Sequence, residues 1–389
     1  MSVVANPSDT RHSAAMRIAP FELERYLNAL EFSARHYICG SDVEGYRLSE
    51  LLELATADDR ERFASLSLGY TTAPGLEQLR EEIARLYTSV AADQVLTFAG
   101  AEEAIFILMN VLCGPGDHVV TVWPAYQSLH EVARATGADV TLVELRESEK
   151  WALDLEGLKR AMRPTTKLVV INFPHNPTGA HLDKETYRQV VDIARDAGAY
   201  LLCDEVYRHS EYDASDRLAA GVDVYARAIS LGVMSKTFAL AGLRIGWIAT
   251  HDRSVLEACA AYKDYISICN SAPSEWLALI ALRAREKVIA RSLAIIHANM
   301  ALLDSFFQRR ASAFSWVKPR AGTIAFPSFR TRTDVDAIAR ELVQHEGVVI
   351  LPGSRFGHPG PNFRLGYARK TLPQALLALE AGLDRMRIS

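Results

Sequence analysis

The sequence predicts an α/β fold built on a mostly parallel sheet. Short apolar runs such as 168–173 recur after residue 94, with helical stretches between them. This is the pattern of strands that are buried on both faces and joined by crossover helices. Because 389 residues exceed what one small core accommodates, we expect a large domain carrying this sheet and a smaller α/β C-terminal domain.

The composition narrows the function classes. Hydrophobic residues make up 49% of the chain and charged residues 23%, as in ordinary globular proteins. A net charge of −4 disfavours nucleic acid and acidic membranes as partners. No run of 18 apolar residues predicts a membrane span. The five cysteines lack a CxxC pair and the 11 histidines lack paired spacing, so we expect a cytoplasmic protein without a metal site.

Periodicity suggests where the domains divide. Residues 1–18 lack the apolar core of a signal peptide and are predicted to be a flexible tail. An amphipathic helix over 19–34 opens an N-terminal segment, 19–48, that we expect to pack with the small domain. The large domain is predicted over 49–285 and the small domain over 286–389, with one long helical stretch from about 274 to 309 between them.

Lys236 directly follows the apolar run 228–233. In open α/β sheets, chemistry collects at the carboxyl ends of the strands, and a partly desolvated lysine there can form a Schiff base with an aldehyde. A surface lysine in a turn is the alternative interpretation. A phosphate-binding GxxxxGK[ST] loop is excluded, because Ser230 and Ser235 stand where that motif needs glycine.

Further segments carry chemistry at the predicted strand ends. Gly100 opens a helix, so the backbone N–H groups of Ala101 and Glu102 are free to bind a phosphate. A buried carboxylate at Asp204 needs a cationic partner. Arg364, in the string FRLGY, offers the fork geometry that binds a carboxylate through two hydrogen bonds. The string PHNPTG (174–179) and the pair of tyrosines at 126 and 207 complete the set.

With these motifs in this order, the chain from about residue 66 onward resembles the fold-type-I, class I/II aminotransferases, which use pyridoxal 5′-phosphate (PLP). The resemblance implies that Lys236 holds the cofactor as a Schiff base. It also implies a phosphate site formed by Arg244, Ser235 and the helix start at Gly100, Ala101 and Glu102. Val233 stands where the family usually has a serine.

The resemblance assigns the groups around the cofactor ring. Tyr126 is expected to stack on the ring, with Trp123 as a local competitor for that place. Asn176 and Tyr207 are expected to donate hydrogen bonds to the 3′-oxygen. Asp204 is expected to keep the pyridine nitrogen protonated. Lys236, Asp204 and Tyr207 are therefore the predicted catalytic residues.

The resemblance also implies contacts to the substrate. Arg364 and Asn176 are expected to bind the α-carboxylate, and Gly40 with Ser41 to lie over the substrate. Asp42 and Glu44 replace the family's usual Glu-Pro pair nearby. We hypothesise that these two carboxylates favour a polar or basic amino acid, although they are equally compatible with facing solvent or capping the following helix.

Tyr70 precedes a GL-x-x-LR helix at 75–80, where the resembled family places a tyrosine that reaches the cofactor phosphate of the neighbouring subunit. The resemblance therefore implies a homodimer with shared active sites.

The expected activity is transfer of the α-amino group of an L-amino acid to a 2-oxo acid. Other PLP chemistry on the same scaffold remains open: elimination, decarboxylation, or a capreomycidine-synthase-like arginine cyclisation or oxidation. A PLP-sensing transcription factor is a third possibility, but the first 45 residues are too short and insufficiently basic for its DNA-binding domain.

Overall fold

The computed structural model describes residues 18–331 and 334–388. The predicted tail therefore lies outside the described residues, apart from Ile18. The helices are α1 (Glu22–Leu30), α2 (Leu48–Glu53), α3 (Ala57–Ala64), α4 (Glu77–Ala84), α5 (Ala101–Leu112), α6 (Ser128–Ala135), α7 (Leu155–Ala161), α8 (Lys184–Asp196), α9 (Gly221–Val224), α10 (Arg253–Lys263), α11 (Ala272–Arg283), α12 (Arg285–Arg309), α13 (Val335–His345) and α14 (Leu372–Arg385). The strands are β1 (His36–Tyr37), β2 (Val95–Phe98), β3 (His118–Trp123), β4 (Asp139–Glu144), β5 (Thr166–Asn172), β6 (Tyr200–Asp204), β7 (Ala228–Val233), β8 (Gly246–Ala249), β9 (Phe314–Ser315), β10 (Ile324–Ala325), β11 (Ser328–Phe329), β12 (Val348–Val349), β13 (Leu351–Pro352) and β14 (Phe363–Gly366).

A seven-stranded sheet in the order β2-β8-β7-β6-β5-β3-β4 organises the larger part of the fold. Only β8 runs antiparallel to its neighbours in this sheet, so the predicted α/β class with a mostly parallel sheet is confirmed. The central strands β5, β6 and β7 are buried along almost their whole length, as strands covered by helices on both faces are. In the register of β5 and β6, Asn172 lies opposite Asp204, which brings both residues to the same edge of the sheet.

The C-terminal part has its own core and short strands. Side chains of α12, α13 and α14 meet there, among them Phe306, Leu342 and Leu379. Strands β10, β14 and β13 form an antiparallel sheet beside this core. By length and composition α12 would suffice to cross a membrane, but its apolar side chains pack into this core.

The predicted helical stretch over 274–309 is divided in the structure. It breaks at Ala284, whose backbone (φ −100°, ψ 18°) separates α11 from α12. The apolar run over 348–351 also forms two short strands with different partners. β12 pairs with β1, whereas β13 pairs with β14, so the backbone changes neighbours at Ile350.

The N-terminal segment is joined to the C-terminal part by a parallel strand pair, in which His36 lies opposite Val348. The chain that follows is held by backbone contacts: Gly366 donates from its N–H to the carbonyl of Ile38 at 2.7 Å. The Thr323 hydroxyl donates to the carbonyl of Ser41 at 2.8 Å. These contacts fix Ser41 at the edge of the large sheet where the strands end.

Candidate active site

A cleft of about 500 Å³ opens at the carboxyl ends of the parallel strands, within the size range of small-molecule sites. The predicted site residues that line it are Ser41, Ala101, Glu102, Tyr126, Asn176, Asp204, Tyr207, Ser235, Lys236, Arg244 and Arg364. Gly40, Gly100 and Tyr70 are not among its lining residues. The fold thus brings together most of the side chains that the sequence motifs indicated.

Lys236 lies in the turn after β7. The backbone N–H of Ala239 donates to the Lys236 carbonyl at 2.9 Å, which tightens this turn. The Lys236 amine donates to the hydroxyl of Ser41 at 2.7 Å and lies 5.7 Å from the centre of the Tyr207 ring. Such a half-buried amine at the wall of a cleft is suited to covalent chemistry with a carbonyl compound.

Asp204 is a buried carboxyl at the end of β6. Its oxygen accepts a 3.3 Å hydrogen bond from the N–H of Val206. No lysine, arginine or histidine of the described residues forms an ion pair with it. Burial raises its pKa to about 7, against the opposing hydrogen bond from Val206 and the charge of Lys236. A buried carboxyl of this kind becomes a stable anion once a cation binds beside it.

Asn172 links the strand end to the loop that follows it. Its side-chain amide donates to the carbonyl of Asp204 at 2.9 Å, and its side-chain oxygen accepts from the N–H of Asn176 at 2.8 Å. This network holds Asn176 rigidly beside Asp204. The sequence reasoning did not name Asn172, although its amide at the end of an apolar strand is a usable signal.

Tyr207 presents an unsatisfied hydroxyl to the cleft. Its side chain is 1% exposed, and the hydroxyl has no hydrogen-bond partner among the described residues. Buried polar groups are almost always paired. The Tyr207 hydroxyl is therefore available to a bound ligand.

Arg364 is a buried cation without a counter-ion. It is 2% exposed, donates from Nε to the carbonyl of Cys39 at 3.0 Å and from Nη1 to Oδ1 of Asn176 at 3.2 Å. Among the described residues, no carboxylate lies within salt-bridge distance of its guanidinium. Because an uncompensated buried charge is costly, this arrangement favours a ligand that brings a carboxylate.

An anion site surrounds the start of α5. Gly100 has a φ of 96°, and a Cβ there would lie 2.4 Å from Nη2 of Arg244, so only glycine permits this close approach. The hydroxyl of Ser235 lies 3.5 Å from Nη1 of Arg244. The helix dipole and the guanidinium together attract a phosphate.

Glu102, in the first turn of the same helix, forms no ion pair with this arginine among the described residues. Its carboxyl accepts a 3.0 Å hydrogen bond from Ser128, and burial raises its pKa to about 7. Only its backbone N–H is therefore suited to a bound anion. Val233, in place of the family's serine, contributes an apolar wall to the cleft.

Tyr126, and not Trp123, faces the cleft. Tyr126 lines it and donates from its hydroxyl to Glu24 at 2.7 Å. Trp123 instead stacks on His358 with ring centres 5.6 Å apart. Of the two aromatic residues, Tyr126 is therefore the one placed to contact a ligand in the cleft.

Helix α1 contributes lining residues that the sequence reasoning missed. Glu24 and Glu31 line the cleft together with Leu23 and Leu27. The two glutamates are seven residues apart, so they lie on one face of the helix. The sequence feature that could have identified them is the presence of carboxylates beside the apolar face of an amphipathic helix.

The two carboxylates near residue 43 are placed differently from each other. Asp42 lines the cleft, but both its oxygens accept from Nη2 of Arg369 at 2.9 Å. Glu44 is not a lining residue: it accepts from the N–H of Lys370 at 2.9 Å and pairs with the Lys370 ammonium. The expectation that Glu44 faces the substrate is therefore wrong, because the chain turns it toward the start of α14.

Tyr70 projects away from this cleft and is 91% exposed. Its loop is nonetheless anchored to the chain. The hydroxyl of Thr71 donates to the carbonyl of Asn270 at 3.1 Å, and the buried amine of Lys263 donates to the carbonyl of Ala73 at 2.8 Å. Two hydrogen bonds therefore tie the loop of Tyr70 to the segment that contains Lys263 and Asn270.

A family model described as aminotransferase class I and II matches residues 48–381. The chain is 32% identical over 375 residues to the capreomycidine synthase of Streptomyces vinaceus, covering 95% of this chain and 94% of that protein. It is 28% identical over 312 residues to a probable aspartate aminotransferase of Methanocaldococcus jannaschii, covering 77% of this chain and 81% of that protein.

Solved structures agree with these similarities. A PLP-dependent aminotransferase from Streptococcus suis superposes with a TM-score of 0.90 at 32% identity, covering 95% of this chain and 99% of that one. The PLP-dependent cyclase OrfR superposes with a TM-score of 0.87 at 28% identity, covering 95% of this chain and 98% of that one.

Proposed function

Because this chain belongs to the class I and II aminotransferases and its cofactor is pyridoxal 5′-phosphate, we propose that it transfers the α-amino group of an L-amino acid to a 2-oxo acid. One observation carries this proposal. The amine of Lys236 and the uncompensated guanidinium of Arg364 line the same cleft, so one ligand can meet a nucleophile and a carboxylate-binding group together.

The residues present fit the cofactor. Tyr207 has a buried hydroxyl without a partner, as a donor to the 3′-oxygen requires. Asp204 is a buried carboxyl with no ion-pair partner among the described residues, and a protonated pyridine nitrogen would supply one. The glycine at position 100 leaves room for Arg244 beside the start of α5, where the phosphate would bind. Lys236 would carry the aldehyde carbon.

When bound, PLP supplies an electron sink for a bond at the substrate Cα. The protein holds and orients the substrate. Arg364 and Asn176, already joined at 3.2 Å, bind the α-carboxylate and thereby fix which Cα bond faces the ring. The amine of Lys236 removes the Cα proton as a general base and returns a proton as a general acid. Asp204 remains ionised beside the ring nitrogen and keeps that nitrogen protonated.

Two half-reactions test the proposal. The holoenzyme is mixed with each L-amino acid, and loss of the lysine-bound cofactor absorbance identifies the donor. A 2-oxo acid such as 2-oxoglutarate is then added. An aminotransferase regains the original absorbance and releases an equivalent of the acceptor's amino acid. Loss of absorbance without recovery by any 2-oxo acid would contradict transamination.

A non-transaminating reaction is the second candidate. It is supported by the similarity to a capreomycidine synthase and to the cyclase OrfR, in addition to that with aminotransferases. Elimination, decarboxylation or arginine cyclisation would consume the amino acid without needing a 2-oxo acid. Mass spectrometry of the products after one turnover, together with an ammonia assay, separates these reactions from transamination, since transamination leaves the 2-oxo acid of the donor without releasing ammonia.

We also propose a homodimer located in the cytoplasm. The exposed Tyr70 and the nearby exposed Tyr265 lie on loops joined by the hydrogen bond from Thr71 to Asn270, which supports a contact surface for a second copy. All five cysteines are free, as suits a reducing compartment. Analytical ultracentrifugation tests the homodimer by measuring the mass of the protein in solution. Fractionation of the source cells tests the cytoplasmic location.

A further inference from the structure

The proposed function, on which this inference rests, gives a role to every cationic side chain that lines the cleft but not to every carboxylate. Three cationic side chains line the cleft: Lys236, Arg244 and Arg364. The proposed function assigns them to the aldehyde carbon, the phosphate and the α-carboxylate respectively. None of these cations is left for a further anionic group of the substrate.

Some of the carboxylates that line the cleft, in contrast, have no assigned partner. Asp204 is assigned to the ring nitrogen, Asp42 is held by Arg369 through both oxygens, and Glu102 accepts from Ser128. Glu24 and Glu31 remain. Neither of these two forms an ion pair with a lysine, arginine or histidine of the described residues, although both line the cleft.

The geometry of α1 directs both glutamates to one place. Glu24 lies in the first turn of α1 and Glu31 at its C-terminal end, seven residues apart and hence on one helix face. The oxygen of Glu24 lies 2.7 Å from the hydroxyl of Tyr126. Burial and the charges of Asp42 and Glu24 raise the pKa of Glu31, while Arg369 and, less strongly, Arg364 lower it. Glu31 is therefore within electrostatic reach of the group that binds the α-carboxylate.

Independent observations show that a ligand belongs in this cleft. Within the part of the chain that the structure describes, Arg364 is 2% exposed without a counter-ion, and the buried hydroxyl of Tyr207 has no hydrogen-bond partner. A substrate bound through its α-carboxylate at Arg364 has its side chain free to extend toward the cleft wall. The carboxylates on that wall determine which side chains are favourable there.

We propose that Glu31, together with Glu24, binds the side chain of a cationic amino acid, a guanidinium or an ammonium group. A dicarboxylic amino acid would place its second carboxylate against these glutamates, and the nearby Arg369 is already paired with Asp42. Specificity then arises from both attraction and repulsion. Asp42 orients Arg369 and does not itself contact the substrate, which revises the role expected from its position in the sequence.

Arginine and citrulline provide the sharpest test, because their side chains have nearly the same shape and differ in charge. The affinity of the holoenzyme for each is measured from the change in absorbance of the lysine-bound cofactor and from the thermal shift. We expect wild type to prefer arginine over citrulline by about tenfold or more, the value of one charge-assisted hydrogen bond. Glu31→Gln should reduce that ratio about tenfold, because it weakens the binding of the charged arginine more than that of the neutral citrulline.

Two further variants complete the experiment. Glu44→Gln is the matched control, since Glu44 lies outside the cleft beside Lys370, and it should keep the wild-type ratio. Glu24→Gln should also lower the ratio, but by less, because Tyr126 occupies one oxygen of Glu24. A preference for aspartate would overturn the inference and leave the proposed function intact. The same holds if neither Glu31→Gln nor Glu24→Gln changes the ratio of arginine affinity to citrulline affinity. If no amino acid perturbs the cofactor absorbance, the proposed function itself fails.

Discussion

The amine of Lys236 donates a 2.7 Å hydrogen bond to the hydroxyl of Ser41, 195 residues away in the chain. Ser41 is held in place by the Thr323 hydroxyl, which donates to its carbonyl. The reactive lysine of the large domain is therefore contacted by the N-terminal segment. This contact couples the chemistry at Lys236 to the position of a segment that no local pattern around the lysine identifies.

Replacing Lys236 by alanine should abolish the covalent attachment of the cofactor and all turnover. The fold should remain, because the side chain is half-buried and makes one hydrogen bond to a side chain. The measurements are borohydride reduction followed by mass spectrometry, and circular dichroism as the control for folding. A cofactor still reduced onto the variant protein would show that another lysine holds it.

Ser41→Ala should lower kcat by roughly three- to tenfold with a smaller effect on KM, because it removes one neutral hydrogen bond from the catalytic amine. Ser41→Thr retains the hydroxyl and serves as the control. The pH profile of kcat should shift only in the alanine variant. Equal kinetics in wild type and Ser41→Ala would mean that the contact with Lys236 has no role in turnover.

Arg364→Ala should raise KM for the amino-acid substrate by at least 100-fold, since the loss of a charged, two-point contact costs about 3 kcal/mol or more. Cofactor affinity should change little, because Arg364 contacts Asn176 and Cys39 and not the anion site at Arg244. Arg364→Lys keeps the charge without the fork and should recover part of the loss. Fluorescence titration with PLP checks the cofactor, and an unchanged KM would place the carboxylate site elsewhere.

Asp204 should make the stability of the cofactor-free protein pH-dependent. Its pKa is raised by burial from 3.8 to about 7, so the folded state binds a proton more tightly than the unfolded state. The resulting stabilisation is complete below about pH 4 and is lost as the pH rises to about 7.

Between pH 5 and pH 8, the free energy of unfolding of the cofactor-free wild type should therefore fall relative to Asp204→Asn, by on the order of 2 kcal/mol. Urea denaturation at both pH values measures this difference. The matched Glu205→Gln variant should retain the Asp204 contribution. An identical pH dependence in wild type and Asp204→Asn would show that the carboxyl titrates normally.

Tyr70 permits a complementation test of the proposed shared site. Tyr70→Phe should weaken PLP binding, and Lys236→Ala should be inactive. In a mixed dimer of the two variants, one site has Lys236 from one protomer and Tyr70 from its partner, and so is native. Mixing should restore PLP affinity and activity toward half of the wild-type value per dimer. No recovery after verified exchange of protomers would mean that Tyr70 serves no neighbouring site.

The central sheet and the groups at its edge were predictable because the signals are local. An apolar run fixes a buried strand, and the polar residue that ends it must lie at the sheet edge, which is how Asp204 and Lys236 were identified. Arg364 and Asn176 lie in strings specific enough to indicate their place. The structure brings all four to one cleft. Asn176, Asp204 and Lys236 follow strands of the parallel sheet, whereas Arg364 lies on β14 of the separate antiparallel sheet.

The amino-acid sequence by itself thus determined the α/β fold class and the PLP-dependent family, and it predicted the lysine and the acidic and basic groups that line one cleft. Only the tertiary structure decided that α1 closes the cleft, that Glu31 faces it and that Glu44 does not. These placements depend on the pairing of β1 with β12, a contact between segments more than 300 residues apart. Which face of a helix meets a distant sheet edge is set by long-range packing, and periodicity within the helix cannot encode it.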